Sequence, residues 1–234
     1  MPLKPPVFSR ELTRADLAGR AAAACEAGED VCACEFADDA LEAFGAGLLE
    51  FDQCLFRNVL FSACDIDRIH FTDCVFERCE LSGFAFRDGG LRRVSFAGCR
   101  LGGASFADMS LRDVRWTDCQ AEYLSFANCK LQAMALSDCK LSGSSLSECA
   151  MQDVAFANCR MDHAQLFRCE QKRLTLEACD LTRAEFPETK LAGVDLSGCV
   201  IDGLRARAEA LAGVTLSLAQ APAALGLLGI RVKV

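Results

Sequence analysis

The apolar residues of this chain recur at every fifth position. The run begins at Phe36 and passes through Phe51, Phe56, Phe61, Ile66, Phe71 and Phe76 to Ile201, and the single polar member is Gln171. A second inward series lies two residues before each of these centres. It includes Cys54, Val59, Cys64, Ile69 and Cys74, and Asp39 is its only charged member. A period of five fits neither the helical repeat nor a continuous strand repeat, so the repeating unit must be shorter than an ordinary element. Centre and centre minus two face one way and the residue between them faces out, which is a strand of about three residues. The two remaining residues must turn the chain. More than half of the positions two after a centre are Asp, Asn or Gly, as at Asp88, Asn128 and Gly143. These residues accept positive φ or bond their own backbone, so the pattern is short strand, corner, short strand, corner: a solenoid.

The segments Ala104-Ser105-Phe106-Ala107-Asp108, Ala184-Glu185-Phe186 and Val194-Asp195-Leu196-Ser197-Gly198 resemble the pentapeptide-repeat consensus, a small residue, a polar residue and Leu or Phe followed by two outward residues. The resemblance implies an all-β solenoid, a right-handed quadrilateral β-helix with four units per coil, so that positions twenty apart stack. By that count the repeat makes about eight coils and a rod ~40 Å long at the usual strand spacing of ~4.8 Å. The unbroken phase from 36 to 201 leaves no room for inserted loops, and the pattern is closest to the loopless, quinolone-resistance-like members of that family.

Three segments are expected: a cap over residues 1–33, the repeat over 34–203, and a capping and dimerisation module over 204–234. In the first, Thr13 and Asp16 have capping-box spacing, Arg20 to Ala27 favours helix and Gly28 is placed to end it; alternatively Ala15-Asp16-Leu17 is an out-of-phase repeat. After Gly203 the phase weakens, Glu209 falls at an inward position, and residues 204–212 read as a connector. Ser217 and Gln220 then form a second capping-box pair before an apolar run ending at Gly229, with Pro222 in the first turn, and Ile230 to Val234 alternates as a strand. A short helix-strand cap is therefore expected. Such endings make dimers in many pentapeptide-repeat proteins, and the apolar Leu225, Leu228, Ile230, Val232 and Val234 are the expected homodimer interface.

Cysteine changes the picture less than its abundance suggests. Of 16 cysteines, all but Cys25 and Cys32 occupy the inward position two before a centre, where a free thiol acts as a small buried hydrophobe. Their side chains point the same way from parallel strands, a poor disulfide geometry. No Cys-x-x-Cys pair exists, and His70 and His163 both face outward, so no metal or other cofactor is expected. The start of the chain lacks an apolar core of signal-peptide length and no stretch approaches the ~20 apolar residues of a membrane span, which predicts a cytoplasmic protein.

No catalytic constellation is present. His163 stacks near Asp162 and Arg183, an arrangement expected of a solvated charged face, and the chain is not read as an enzyme. Function must come from the outward positions. A net charge of −8, from 33 acidic and 25 basic residues, disfavours direct nucleic-acid binding. Asp88, Asp108, Asn128 and Glu148, with Glu188 beyond Arg168, form one acidic column; Asp118 and Asp138 form another on the opposite face. Phe167 is an outward aromatic. The family resemblance implies that such carboxylates imitate duplex phosphates, which would make DNA gyrase or topoisomerase IV the partner, protected from quinolones or from a self-made toxin. The alternative is a scaffold or protein-binding module with an unrelated partner, in which the same carboxylates serve only as corner residues.

Overall fold

The computed structural model describes residues 3–227 and residue 230. Over them the chain winds into a parallel β-solenoid of about 10 turns with a short C-terminal helix. Each coil has four faces, and after the first pairing, Thr13↔Cys34 and Arg14↔Glu35, which is one residue longer, every pairing runs from a residue to the one twenty further on, as in Phe76↔Phe96, Phe86↔Phe106 and Glu80↔Arg100. This register holds without an insertion through the repeat.

The first two faces of the middle coils merge into eight-residue strands, Gly90–Ala97, Ser110–Thr117, Lys130–Ser137, Ala150–Ala157 and Glu170–Glu177. The third face is held by single bridges, and the fourth is a separate 7-stranded sheet that includes Ala85–Arg87 and Ser105–Ala107. The interior is a stack of the five-residue centres. Phe56, Phe76 and Phe96 lie face to face with ring centroids 4.6 Å apart, and Phe86 stacks on Phe106 at 4.2 Å.

Apart from Leu48, Arg68 and Gly198, the corners from Asp38 to Gly203 are left-handed whatever their side chains: φ is 57° at Asp108, 52° at Ala133, 50° at Arg168 and 59° at Tyr123. That conformation costs roughly 1–2 kcal/mol for a residue with a Cβ. The closed ladder offsets it, because most corner N–H groups donate to the next coil, as Asp88 N does to Ala107 O (3.1 Å) and Asp108 N to Ala127 O (3.0 Å). Glycine concentrates at the third corner (Gly83, Gly103, Gly143, Gly203). There Ala104 N donates back to Leu101 O at 3.0 Å, closing a β-turn whose third residue, Gly103, has φ +66°.

The cysteines are free thiols. Those of the inward series are buried except Cys64, which is half-buried, and most donate to a carbonyl of the preceding coil, as Cys79 does to Phe56 O (3.4 Å) and Cys129 to Phe106 O (3.4 Å). Burial pushes the Cys74 thiol up. Cys25 alone is exposed.

The turns exceed the eight read from the five-residue phase because the ladder continues where the apolar phase does not. Thr13–Arg14 pairs with Cys34–Glu35, Glu185–Phe186 with Arg205–Ala206, and Asp195 with Thr215. At the N-terminal end α1, Leu17–Ala27, covers the open core with Leu17, Ala21 and Ala24. Its cap is Asp16, whose carboxylate accepts from Gly19 N, so Thr13 is a strand residue rather than the cap; Gly28 ends the helix at φ 68°. Residues 204–212 are no loose connector: Leu204 and Ala210 are buried, and a short 3-10 turn at Ala208–Leu211 shifts the phase by one so that Glu209 is exposed. At the far end Ser217 and Gln220 form the capping box, and the Gln220 amide donates to Leu196 O (2.8 Å) and Cys199 O (2.7 Å), satisfying carbonyls of the last coil. The helix α2 follows at Ala221–Leu227 with Pro222 in its first turn. The expected strand after it, with Leu228, Val232 and Val234, lies outside the described residues.

Gln171, the polar centre, finds backbone partners in the next coil. Its amide donates to Lys190 O (3.3 Å) and Ala192 O (3.1 Å), and its carbonyl accepts from Leu174 N (3.2 Å). The amide bridges two coils that form no β-pair there. The outward apolar residues of the early coils divide: Leu55 is buried, Leu60 and Val75 are half-buried, and Leu48, beside α1, is exposed.

Candidate interaction surfaces

The fourth corner carries Asp88, Asp108, Asn128, Glu148, Arg168 and Glu188 on successive coils, all at left-handed φ and, apart from half-buried positions elsewhere in each unit, all exposed. Their environments differ. Asp88 has no ion-pair partner among the described residues, and Asp108 accepts from the Asn128 amide (2.5 Å). Glu148 faces Arg168 at 3.7 Å, and the same guanidinium donates to Glu188 at 2.8 Å, which holds the Glu188 carboxyl below its usual range. The ladder is thus bare at Asp88 and Asp108 and neutralised toward Glu188. Arg168 also lies over the Phe167 ring, 4.7 Å from its centroid, which leaves that aromatic half-buried.

On the second corner Asp118 and Asp138 are exposed, and Asn158 donates to Asp138 at 3.3 Å. The first corner holds different chemistry. Asp73 and Asp113 are only 5% and 8% exposed, Arg93 pairs with Asp73, and Arg173 pairs with Asp153, whose carboxyl that contact lowers to about 2. Their burial has no signal in the five-residue pattern, because what covers them is the segment that precedes α1. At the third corner Tyr123 is 75% exposed and its ring lies against Gly143, the nearest ring atom 2.8 Å from where a Cβ would stand.

The hollows of the surface are shallow grooves between coils. One of about 570 Å³ lies at the unpaired step, lined by Arg168, Glu170, Gln171, Glu188 and Lys190. Among the described residues no three His, Cys, Asp or Glu side chains gather to hold a metal ion. No described helix is long and apolar enough to cross a membrane.

The family model described as pentapeptide repeat region matches residues 69–146 and 131–206. The chain belongs to the pentapeptide-repeat family. Solved structures similar to this pentapeptide-repeat protein include HetL, a pentapeptide repeat protein involved in heterocyst differentiation regulation from the cyanobacterium Nostoc sp. strain PCC 7120. It is 13% identical, with 87% of this chain and 91% of that one covered and a TM-score of 0.42. Full-length QnrB1, a plasmid-mediated fluoroquinolone resistance protein, is 19% identical over 87% of this chain and 91% of its own, at a TM-score of 0.36. Rfr23 from the cyanobacterium Cyanothece 51142 is 16% identical over 53% of this chain and 91% of its own, at a TM-score of 0.38. These likenesses concern the fold alone. No functionally curated protein matches the chain, and no enzyme family is indicated.

Proposed function

We propose that this pentapeptide-repeat protein is a non-catalytic, cytoplasmic binding rod. Its acidic fourth corner engages a type II topoisomerase, DNA gyrase or topoisomerase IV, in place of DNA and protects it from quinolones or a self-made toxin. The observation that carries this reading is the pair Asp88 and Asp108, exposed carboxylates on adjacent coils of a rigid sheet with no opposing cation among the described residues. Rigid, stacked charge steers a basic partner and needs no reorganisation on binding. Glu148, Phe167 and, on the second corner, Asp118 and Asp138 extend the proposed contact.

A second reading, a scaffold for an unrelated protein partner, is favoured by the charge density. B-DNA of ~40 Å carries roughly 24 charges, against a net −8 here, and Arg168 neutralises the far end of the ladder. The experiment that separates the two is a supercoiling assay with gyrase and topoisomerase IV, with and without drug. Reversing Asp88, Asp108 and Glu148 to Lys is expected to abolish inhibition or protection, and Asn at Asp88 and Asp108 to weaken it while keeping corner chemistry. Arg168 already occupies the same corner conformation, so Lys fits there. Wild-type protein without effect on either enzyme favours the scaffold.

The rod is further proposed to act as a homodimer joined at its C-terminal end. Helix α2 has no buried residue, Leu225 is half-buried, Leu218 is 92% exposed and Ile230 49% exposed, an apolar surface that a second copy would cover. Light scattering at tens of micromolar is expected to give twice the 25.3 kDa chain mass; a monomer there rules the interface out.

A further inference from the structure

The segment that buries the first corner is a peptide laid along the rod. Residues 3–12 run along the rod against its winding direction, from the later coils back toward the first. Lys4 N donates to Asp113 Oδ1 (3.1 Å), Val7 N to Asp73 Oδ1 (2.9 Å), and Ser9 N and its hydroxyl to Gln53 Oε1 (2.7 and 2.8 Å). Thr13 N then reaches Ala33 O (2.9 Å), the next residue of the same corner column. The spacing matches an extended chain. Asp113 to Asp73 is two coils, ~9.6 Å, and three residues of polyproline II cover ~9.3 Å. Leu3, Pro6 and Leu12 are half-buried at intervals that are multiples of three, the period of that helix. Pro5 and Pro6 have no N–H and pass the one rung that offers no acceptor, Arg93.

Each acceptor is held by the rod itself. Arg93 Nε donates to Asp73 at 2.6 Å, Arg112 lies 3.7 Å from Asp113, and the Gln53 amide nitrogen donates to Asp52 (3.0 Å), which turns its oxygen toward the segment. Most contacts are to main-chain N–H groups, so they read backbone spacing rather than side chains. We propose that the column Gln53, Asp73, Arg93, Asp113 is a binding track for an extended peptide of the pattern X-Pro-Pro-X-x-X, and that Lys4 to Ser9 is its intramolecular occupant. A partner segment with prolines at the same two places takes the track when the arm lifts off. This surface is separate from the fourth corner and does not depend on the topoisomerase reading.

The test uses the full chain. Val7→Pro removes the central N–H and leaves an extended backbone, so it frees the arm from Asp73. Amide exchange of Lys4 and Ser9 is followed while a labelled synthetic peptide of residues 3–12 is titrated by fluorescence anisotropy. The two amides are expected to be protected in the wild type and free in Val7→Pro. The peptide should bind Val7→Pro at least about tenfold more tightly than the wild type, where the tethered arm competes at an effective concentration of order millimolar. Adding Asp113→Asn should weaken that binding by about tenfold through loss of the charge-assisted bond. Free exchange at Lys4 and Ser9 in the wild type, an arm still protected in Val7→Pro, no peptide binding to a freed track, or binding indifferent to Asp113→Asn would each overturn the proposal.

Discussion

Replacing Phe76 by Ala will destabilise the protein by about 3–5 kcal/mol and split its unfolding into two transitions. Phe76 is fully buried, stacked between Phe56 and Phe96 at 4.6 Å on either side, with the edge of Phe71 at 5.1 Å. In a globular core the neighbours of such a cavity relax inward. Here they are held at the ladder spacing of ~4.8 Å by backbone bonds above and below, so the void persists and the cost falls at the upper end of the range. A solenoid is stabilised by nearest-neighbour interfaces, so weakening one interface uncouples the coils on its two sides. The single tryptophan makes this measurable. Trp116 is fully buried two coils further on, its ring 5.2 Å from Phe96, and its fluorescence reports the coils beyond the cut. Urea titrations of the wild type should superimpose by circular dichroism and fluorescence; those of Phe76→Ala should separate. Superimposed curves shifted by less than about 1 kcal/mol would contradict the rigid-stack account.

The middle of the rod was legible in the sequence because each unit is decided locally. Centre and centre minus two point inward in a three-residue strand, and stacking at twenty-residue spacing follows from four such units. Even the exception was readable: Gln171 at a centre requires partners, backbone of an adjacent coil or water, and the carbonyls of Lys190 and Ala192 supply them. Trp116 was readable as an aromatic centre, but its indole N–H is buried without an acceptor, which no periodic pattern could reveal.

What was not legible lies where distant segments meet. Asp73 and Asp113 have the composition of ordinary corner residues, yet their carboxylates accept from Val7 and Lys4, across 66 and 109 residues of sequence. The enrichment in Asp, Asn and Gly was a fair sign of turns but a poor guide to which corners need them, since Ala, Arg, Tyr and His adopt the same left-handed φ when the ladder holds them there. The acidic columns were readable as columns. Their neutralisation was not, because it depends on Arg168 reaching both Glu148 and Glu188 from one rung between them.

Asp39 combines both kinds of information, and its replacement by Ala is expected to detach α1 at a cost of about 3–5 kcal/mol. As the one charge in the inward series it breaks the pattern at the second coil, where a small apolar residue would fit the rod. Its Oδ2 instead accepts from Leu17 N (2.8 Å) at the start of α1, and its Oδ1 accepts from Ala40 N (2.8 Å). With Asp16 on Gly19 N (2.6 Å), two carboxylates sit at the positive end of the helix dipole. Each charge-assisted bond contributes about 1.5–3 kcal/mol, and Asp39→Ala also leaves the N–H of a fully buried leucine without a partner. The helix is only 11 residues long and cannot persist in water unsupported. Once it leaves, Leu17, Ala21 and Ala24 withdraw from the core and the first coil opens. Asp39→Asn keeps an acceptor for Leu17 N and should lose about half as much. Hydrogen exchange resolves the outcome: in Asp39→Ala the amides of Arg20 to Ala27 should exchange freely while the strands from Gly90 to Glu177 keep full protection, and α1 amides as slow as in the wild type would show that burial of the helix, rather than Asp39, anchors it.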